Sequence, residues 1–499
     1  MSARICFVAL MLVGICLRLY NLDGQSLWSD EGIQYFVSSG ESITEVLARR
    51  AERTFHNPLS FLINHAFLQI HDSDFFLRLP SALFGIGTLP LVYWLAHYLF
   101  SRPAALCALF VIAISPFHIW YSQEARMYTP LLFAALLSTL FLLKALERGK
   151  AIWWILYVLG TVFGLFFHIF MVLNVMVHAL WLLLFHRRAL LTVIACGLIA
   201  AILAFPVTLP WTKTFFYKLS LNTPQVTTAT QGSRLRKERI KIGWQGIPYA
   251  VYAYGAGFSL GPSVTELHEN RHVSYLLRFL PSILAVGVIW GSLLILGAWV
   301  LLTSDDPPSL WLCLLGLGGT LAGVVLLTTV THFTFNVRYT IIAYPYCVFL
   351  VGVALAFLLQ NRRWLGTLAP LALTVLSVVS LLQYYHHPRY AKEDIRAAVH
   401  YWRQAPTLDF LLSYSPAGGT ADVIDRYLTH REKAHHIRLS KGDTIDDIHH
   451  FFQTYKRPFA YILFVRDWHQ KRESDVRKSF RLYDEQVFPG VQIMKIVPK

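Results

Sequence analysis

The chain has 499 residues, of which 55% are hydrophobic and only 15% carry a charge. Soluble domains contain about a quarter charged residues, so this composition excludes an ordinary water-soluble protein and predicts one solvated largely by lipid. In a soluble protein, a formal net charge of +15 would indicate nucleic-acid binding. In a chain this apolar, the expected partners are membrane phospholipids or a phosphorylated lipid substrate, and no nucleic acid is expected.

Long apolar segments recur from Ile5 to Ser380, each close to the ~20 residues that a helix needs to cross a membrane. The first segment resembles a signal peptide, but no small-residue cleavage site follows it, so we interpret it as a retained span. Hydropathy predicts about eleven spans, at residues 4–20, 78–100, 103–120, 128–147, 151–168, 170–186, 189–211, 273–302, 309–330, 340–360 and 364–385. The predicted fold is a mainly α-helical, polytopic transmembrane bundle.

The loops between these segments predict the orientation. With the N-terminus inside, the short inside loops contain Arg4, Arg102, Arg148 with Lys150, Arg187 with Arg188, and Arg362 with Arg363. This distribution is the positive-inside pattern, and only the acidic loop 304–308 departs from it. An odd number of spans then places three polar segments outside, at residues 21–77, 212–272 and 386–499.

The last of these segments has the pattern of a separate soluble domain. Residues 390–402 and 421–428 have helical spacing, while residues 408–414, 459–465 and 491–497 are strand candidates. We therefore predict two domains, a transmembrane module over residues 1–385 and a small extracytoplasmic α/β domain over residues 386–499.

Two carboxylates, Asp30 and Glu31, follow the first span within the sequence Trp28-Ser29-Asp30-Glu31-Gly32. Ser29 is predicted to cap a short helix that carries both acids in its first turn, where the helix dipole favours negative charge. A purely structural interpretation, in which the acids only cap and solvate that helix, stays open beside a catalytic one.

A second group of polar residues follows the third span, in the segment from Ser115 to Tyr128. It combines Glu124 and Arg126 with the aromatic hydrogen-bonding residues Tyr121 and Tyr128. Glu124 and Arg126 would form an ion pair that braces a turn in the structural interpretation. Ionisable groups this close to membrane depth are costly and often functional, which favours a site.

Asp30 and Glu124 would present their carboxylates to one cavity on the outer face. A carboxylate there can accept a proton from an acceptor hydroxyl or amine as it attacks a sugar carbon. A leaving phosphate needs cations, for which Arg126, Arg338 and Arg78 are candidates. The basic run 234–241 is more typical of a contact with anionic lipid.

Cofactor-binding patterns are missing from the sequence. The six cysteines indicate buried packing thiols, and the 20 histidines include no H-E-x-x-H spacing. We find no Walker A motif and no dinucleotide glycine fingerprint, which disfavours energy-coupled and redox enzymes. No cofactor and no catalytic metal are expected, although the paired outer acids leave a divalent cation as an alternative.

Four segments resemble the GT-C glycosyltransferases of the family 39 type, which includes protein O-mannosyltransferases and lipid A aminoarabinose transferases. They are Trp28 to Glu31, His56-Asn57-Pro58-Leu59 with Leu77 to Ser81, Ser115 to Tyr128, and Asn336-Val337-Arg338-Tyr339. The resemblance implies the GT-C fold for residues 5–385, and it implies substrate contacts for His56 and Tyr339. One departure is Asn57, where aminoarabinose transferases have a lysine, so a phosphate contact is not carried over to that position.

The resemblance also implies a reaction. Asp30 corresponds to the family's main catalytic candidate and Glu124 to a second acidic residue, with Glu31 as a further candidate. The implied donor is a polyprenyl-phosphate-linked sugar, the implied acceptor a lipid, glycan or protein, and the transfer is inverting. The implied location is a bacterial inner membrane, with the active site and the C-terminal domain on the periplasmic side.

Two other functions stay open at this stage. A flippase or transporter for a polyprenyl-linked glycan would place charged groups within spans and often shows inverted repeats, and neither feature is visible. A glycan polymerase or ligase would use the same type of carrier but transfer a glycan block. A single-sugar product distinguishes the transferase from both.

Overall fold

The computed structural model describes residues 2–220, 244–263, 266–267, 273–331, 335–405, 409–415, 418–439, 443–465 and 471–499. Residues up to His386 form an α-helical bundle that includes a long loop, residues 20–73, which we call the first loop. The helices are α1 (Ala3–Leu19), α2 (Ser29–Ser38), α3 (Ile43–Arg53), α4 (Leu59–Ile70), α5 (Asp74–Leu99), α6 (Arg102–Ile114), α7 (Pro116–Ser122), α8 (Tyr128–Arg148), α9 (Ala151–Phe167), α10 (Met171–Phe185), α11 (Arg187–Ser220), α12 (Gly246–Ala256), α13 (Val273–Leu276), α14 (Leu280–Leu302), α15 (Pro307–Leu314), α16 (Thr320–Thr331), α17 (Tyr344–Asn361) and α18 (Arg363–His386). A 3₁₀ segment, Leu277–Phe279, precedes α14, a π turn, Leu315–Gly319, joins α15 to α16, and a second 3₁₀ segment, Val337–Ala343, leads into α17.

The bundle confirms the predicted polytopic fold. Within the described residues, seven helical segments are long and apolar enough to cross a membrane, and α6 with α7, which are bent by 58° at their junction, make an eighth if the pair is counted as one span. The other three predicted spans correspond to α1, α9 and α10, which have 17, 17 and 15 residues. At 1.5 Å per residue these three reach about 25 Å or less, which is shorter than a ~30 Å hydrocarbon core.

The helix α17 lies at the centre of the bundle. The segment Val337–Asn361 is 94% buried over its most apolar window, whereas the windows in α11 and α14 are 22% buried. A Cβ added at Gly352 would lie 2.9 Å from the carbonyl oxygen of Ala104, so only a glycine permits this approach to α6. Small residues commonly allow membrane helices to pack this closely. The start of this central segment carries Arg338.

The bend between α6 and α7 depends on Arg18, a fully buried residue in the last turn of α1. Its guanidinium donates hydrogen bonds to the carbonyl oxygens of Ile112 at 2.8 Å and Ala113 at 3.2 Å. Pro116 begins α7 and has no N–H, so carbonyl groups at the bend need another donor in these apolar surroundings. Arg18 supplies that donor and fixes the direction of α7, which ends two residues before Glu124.

The C-terminal domain is a mixed sheet with flanking helices, as predicted. Its elements after the 3₁₀ turn Pro388–Tyr390 are α19 (Ile395–Arg403), β1 (Leu411–Tyr414), α20 (Thr420–Tyr427), α21 (His430–Lys433), β2 (His436–Leu439), α22 (Ile445–Tyr455), β3 (Ala460–Val465), α23 (Lys471–Ser479), β4 (Phe480–Phe488) and β5 (Val491–Pro498). The strand order is β2-β1-β3-β5-β4, in which β1 runs parallel to β2 and β3, while β5 runs antiparallel to β3 and β4. The three predicted strands match β1, β3 and β5. The strands β2 and β4 were not predicted, because most of their side chains are exposed or half-buried and give no apolar pattern.

The C-terminal domain packs on the first loop and on the start of α5. Leu27, Leu68 and Leu77 share one hydrophobic cluster with residues of α19, β1 and α20. Ion pairs surround this cluster, including one from Arg396 to Asp74 at 2.7 Å. The domain is therefore a fixed part of the surface that α2 belongs to, rather than a separate module on a linker.

One very close contact in this interface joins two glycines. A Cβ at Gly32 of α2 would lie 2.2 Å from the carbonyl oxygen of Gly419, and a Cβ at Gly419 would lie 1.8 Å from the carbonyl oxygen of Ser29. Neither distance is sterically allowed, and both neighbours are backbone atoms that no rotamer change can move. The contact thus holds the start of α20 directly against the turn of α2 that carries Asp30.

We expect Gly419→Ala to force α20 away from α2. Overpacking of this kind costs about 1–3 kcal/mol, so the variant should denature at a lower temperature and be cleaved faster between the last span and the C-terminal domain. Gly418→Ala is the matched control because a Cβ at Gly418 meets no atom within 4 Å. Equal behaviour of the two variants would contradict the tight glycine contact.

A chain of hydrogen bonds through Ser413, His436 and Asp425 lies inside the C-terminal domain. Ser413 Oγ is 2.7 Å from His436 Nε2, and His436 Nδ1 is 2.7 Å from Asp425 Oδ1. Serine hydrolases have the same order of contacts, but Ser413 is only 5% exposed and lies on β1 between two other strands. A nucleophile needs access to its substrate, and Ser413 lacks that access. We therefore infer that these hydrogen bonds have a structural function and hold α20 on the sheet.

Candidate functional site

The helix α2 presents Asp30 and Glu31 beside the bundle. Its N-cap is Trp28, and Ser29 is the first helical residue without a capping hydrogen bond from its side chain, so the predicted cap at Ser29 is wrong. The helix begins one residue too early for Ser29 to serve as its cap. Glu31 takes that function, because its Oε2 accepts a hydrogen bond from the Trp28 N–H at 3.4 Å.

Glu31 forms a buried ion pair with Arg78 of α5. Arg78 Nε lies 2.8 Å from Glu31 Oε1, and Arg78 Nη2 lies 2.7 Å from Oε2, which is a bidentate arrangement. Glu31 is fully buried, and its Oε1 also accepts a hydrogen bond from the Ala125 N–H at 2.9 Å. The remaining donors of Arg78 bind carbonyl groups of the first loop. We infer that these two predicted site residues hold the first loop against α5.

Asp30, by contrast, is accessible. Its side chain is 24% exposed and its Oδ2 lies 2.5 Å from Arg338 Nη1. The Arg338 guanidinium lies 5.5–5.9 Å from the ring centres of Trp28, Tyr128 and Tyr339, within the range of cation–π contacts. Arg338 Nε is buried and has no hydrogen-bond partner among the described residues. The structure thus brings an open carboxylate and a guanidinium with an unused donor together.

Glu124 and Arg126 form no ion pair within the described part of the chain. Arg126 instead donates a hydrogen bond from Nη1 to the carbonyl oxygen of Asp30 at 3.2 Å, and its Nη2 lies 3.4 Å from His56 Nε2. Glu124 is 2% exposed, and its Oε1 has no partner that the structure describes. The purely structural interpretation of this pair is therefore not supported, because each side chain keeps a buried polar atom unused.

The predicted aromatic residues line the same region. The Tyr121 and Tyr128 rings are 5.8 Å apart, and the Tyr128 hydroxyl group is buried without a partner among the described residues. Tyr339 lies 6.2 Å from the ring of His168, which in turn lies 6.2 Å from the ring of His56. The unused buried atoms near Asp30 and Arg338 are Arg126 Nε, Arg338 Nε, Tyr128 Oη, His56 Nδ1 and Glu124 Oε1.

The titratable groups of this region differ in charge state. Burial raises the pKa of Glu124, and the cations Lys392, Arg338 and Arg126 only partly oppose this shift. Burial and the Arg126 charge lower the pKa of His56 well below its ordinary value, so this imidazole is neutral at pH 7. Burial also disfavours ionised Glu31, but Arg78 and Lys392 outweigh it and lower the pKa of Glu31 to about 2.

One residue of this site escaped the sequence analysis. Lys392, in the segment that joins α18 to α19, is 9% exposed and its Nζ lies 3.4 Å from Glu31 Oε2. Its ammonium lies about 6 Å from the ring centres of Trp28 and Trp120. The sequence does show a lysine shortly after the last span. Its partner, Glu31, is 361 residues away, so the local pattern around Lys392 could not reveal the contact.

Two other features singled out in the sequence, Asn57 and the basic run 234–241, add little to the description of the Asp30–Arg338 pair. Asn57 donates its side-chain N–H to the Leu165 carbonyl oxygen, which links the first loop to α9. The basic run 234–241 lies outside the described residues. Among the residues that the structure describes, no group of three or more His, Cys, Asp or Glu side chains is arranged to hold a metal ion. The expectation that no cofactor is required stays a prediction.

Comparisons with known proteins identify similar sequences and one similar fold. Residues 55–212 match the dolichyl-phosphate-mannose-protein mannosyltransferase family. Two proteins of Bacillus subtilis (strain 168) are similar, the putative mannosyltransferase YkcB, 39% identical over 75 residues, and the putative mannosyltransferase YycA, 26% identical over 259 residues. These alignments cover 15% and 47% of this chain, and they span only 10% and 36% of the two relatives.

A solved structure extends the likeness to the whole fold. ArnT from Cupriavidus metallidurans, bound to undecaprenyl phosphate, superposes with a TM-score of 0.58 at 12% identity. The superposition covers 98% of this chain and 97% of ArnT, including the C-terminal domain. The superposition shows that this chain has the GT-C fold, and its apolar helices make it a multi-pass membrane protein similar to the mannosyltransferase family over residues 55–212.

Proposed function

We propose that the protein transfers a single sugar from a polyprenyl-phosphate carrier to a lipid, glycan or protein acceptor. The main support for this proposal is the accessible Asp30–Arg338 pair. Buried hydrogen-bond donors without a partner among the described residues surround this pair. The similarity to a structure of ArnT bound to undecaprenyl phosphate supports the class of carrier. The positive-inside pattern and the bacterial relatives support a bacterial plasma membrane, with the site and the C-terminal domain on the outer face.

In this proposal Asp30 is the base. The acceptor hydroxyl or amine attacks the anomeric carbon of the sugar, and the Asp30 carboxylate takes the acceptor proton as the new bond forms. The bond between the anomeric carbon and the phosphate oxygen breaks on the opposite side, so the configuration at that carbon is inverted. Asp30 fits this function because it is the most exposed of the three carboxylates.

Arg338 and Arg126 would hold the phosphate. Both guanidiniums keep a buried Nε–H without a described partner, and Tyr128 keeps its hydroxyl group free in the same region. The negative charge on the leaving phosphate increases during the reaction, so fixed donors stabilise the transition state more than the ground state. Neutral His56 adds a buried Nδ1, and Tyr121 and Tyr339 provide ring surfaces for the sugar and the first lipid units.

The two alternative functions use the same carrier but predict different products. A flippase would move the lipid-linked sugar across vesicles without breaking its bond to phosphate. A polymerase or ligase would produce lengthened or block-transferred glycans. We favour single transfer because Asp30 is exposed and lies beside cations, an arrangement suited to breaking the bond between sugar and phosphate. Translocation of the lipid-linked sugar needs no such arrangement.

Arg338→Met tests the proposal in protein reconstituted into liposomes with polyprenyl-phosphate mannose and an acceptor extract. Mass spectrometry should show single-sugar products and free polyprenyl phosphate with the wild type. The variant should form them about 10²- to 10³-fold more slowly, since a transition-state donor is lost. Arg389→Met removes another arginine–carboxylate pair, to Glu266, and should change turnover little. Intact donor with the wild type across a panel of polyprenyl-phosphate sugars would refute the transferase.

A further inference from the structure

His56 and Asn57 are neighbours in the first loop, and contacts from outside the site hold both of them. The Arg50 Nε–H donates a hydrogen bond to the His56 carbonyl oxygen at 2.6 Å, and the His56 N–H donates to Thr54 Oγ1 at 3.2 Å. Asn57 is 2% exposed and donates its Nδ2–H to the Leu165 carbonyl oxygen of α9. These contacts fix the His56 backbone and the Asn57 amide before any ligand binds.

Arg126 determines which nitrogen of His56 carries the proton. Its Nη2 lies 3.4 Å from His56 Nε2, and a guanidinium only donates hydrogen bonds. Nε2 is therefore the acceptor, and the proton of the imidazole is on Nδ1. This Nδ1–H is buried and has no partner among the described residues. His56 thus offers one unused hydrogen-bond donor.

The Asn57 amide offers an unused acceptor. Its Nδ2 is the atom bound to the Leu165 carbonyl oxygen, which leaves Oδ1 as the other end, buried and without a partner in the part of the chain that the structure describes. Asn64 of α4 shows the ordinary case, because its Nδ2 binds the Leu77 carbonyl oxygen and its Oδ1 accepts from Gln34 Nε2 at 3.3 Å. A buried acceptor without a donor is costly, so a ligand that donates a hydrogen bond suits Asn57.

A donor beside an acceptor matches the chemistry of hydroxyl groups. A hydroxyl group both donates and accepts, whereas the phosphate oxygens of a lipid-linked sugar only accept and would leave Asn57 Oδ1 unpaired. The His56 ring also contacts Arg126, which we assign to the phosphate, and the donor sugar is bonded directly to that phosphate. The hydroxyl groups expected nearest to His56 and Asn57 are therefore those of the donor sugar.

We propose that His56 and Asn57 form a subsite for the hydroxyl groups of the donor sugar, in which His56 Nδ1–H donates and Asn57 Oδ1 accepts. The inference rests on the proposed function and makes Asn57 a specificity-determining residue. A sugar without the matching hydroxyl group leaves protein atoms buried and unpaired, and sites of this kind reject such analogues strongly.

Equilibrium binding without an acceptor is the first test. Purified protein is titrated with bare polyprenyl phosphate and with polyprenyl phosphates that carry mannose, glucose or galactose. The wild type should bind at least one sugar carrier more tightly than the bare carrier. Asn57→Leu should weaken the binding of that sugar carrier by about 10- to 10²-fold, because its hydroxyl group loses the acceptor, while the bare carrier binds as before.

Asn64→Leu is the matched control for this test. It removes a buried amide of the same loop whose two ends are paired within the protein, so the ratio of the two dissociation constants should stay unchanged. Equal weakening of both carriers by Asn57→Leu would make Asn57 a phosphate ligand or a purely structural residue and overturn the proposal. Unchanged binding of both carriers would overturn it as well, since water would then occupy the position.

His56→Gln tests the donor in the same assay. Glutamine can present Oε1 to Arg126 in place of Nε2, but it has no group in place of Nδ1–H. The variant should therefore weaken the sugar carrier and spare the bare one. Loss of both to the same extent would refute the assignment of Nδ1–H to the sugar.

Deoxy sugars provide the second test. On the preferred carrier, replacing one particular hydroxyl group by hydrogen should weaken binding to the wild type by about 10- to 10²-fold. The same replacement should cost Asn57→Leu little, because the effects of two interacting partners are not additive. Equal losses in both proteins for every deoxy carrier would overturn the proposal. A wild type that binds the sugar carrier selectively but forms no product would refute the transferase and not this subsite.

Discussion

Replacing Asp30 by Asn should lower sugar transfer by about 10²- to 10⁴-fold, the usual effect of removing a general base. Asparagine keeps the size of the side chain and can still accept a hydrogen bond from Arg338, but it cannot take the acceptor proton. The backbone carbonyl group of Asp30 that binds Arg126 is unchanged. The loss should therefore appear in kcat, while the binding of polyprenyl phosphate to the purified variant stays close to that of the wild type.

Folding should survive this substitution. The Asp30 side chain is 24% exposed, and partly exposed ion pairs contribute about 1 kcal/mol or less to stability. Asp72→Asn is the matched control, because Asp72 also lies in the first loop and pairs with an arginine, Arg426, at 2.9 Å. The control should retain activity. Full turnover by the Asp30 variant would remove this residue from the mechanism.

The family resemblance favoured Asp30 over Glu31, but the charge pattern alone could not separate the two acids, and their opposite environments explain why. Neighbouring residues on a helix point about 100° apart, so one of the two must face the protein and the other can face the site. Which one is buried depends on where α5 places Arg78, and the two partners are 47 residues apart. Charge patterns identified the pair, but only the packing of α2 assigned the accessible carboxylate.

Other parts of the fold were predictable because their signals are local. The apolar runs predicted the helical positions, although the predicted span 103–120 ran through the break at Ser115-Pro116 between α6 and α7. The buried strands β3 and β5 have apolar runs that a sequence pattern can detect. Lys392 and the Gly32–Gly419 contact were not predictable, since each depends on how the C-terminal domain docks on the first loop.

Replacing Glu31 should damage stability more than any other change in the site. Glu31→Ala leaves Arg78 buried without its counter-charge, and breaking a buried pair in this way costs about 3–5 kcal/mol. Glu31→Gln keeps the shape but removes the charge, so it should also lower the denaturation temperature in detergent. Comparing the single variants Glu31→Gln and Arg78→Gln with the double variant Glu31→Gln/Arg78→Gln gives the coupling between the two side chains, expected at about 1–3 kcal/mol.

The same pair should make the wild-type protein sensitive to acid. The pKa of Glu31 is lowered to about 2 in the folded protein, against roughly 4.3 in an unfolded chain. Its stabilising effect is therefore complete above about pH 4.3 and is lost as the pH falls toward 2. Glu31→Gln should show a smaller loss of stability across this pH range. If that variant instead denatured like the wild type but lost turnover, Glu31 would be catalytic, and the division of labour between the two neighbouring acids would have to be reversed.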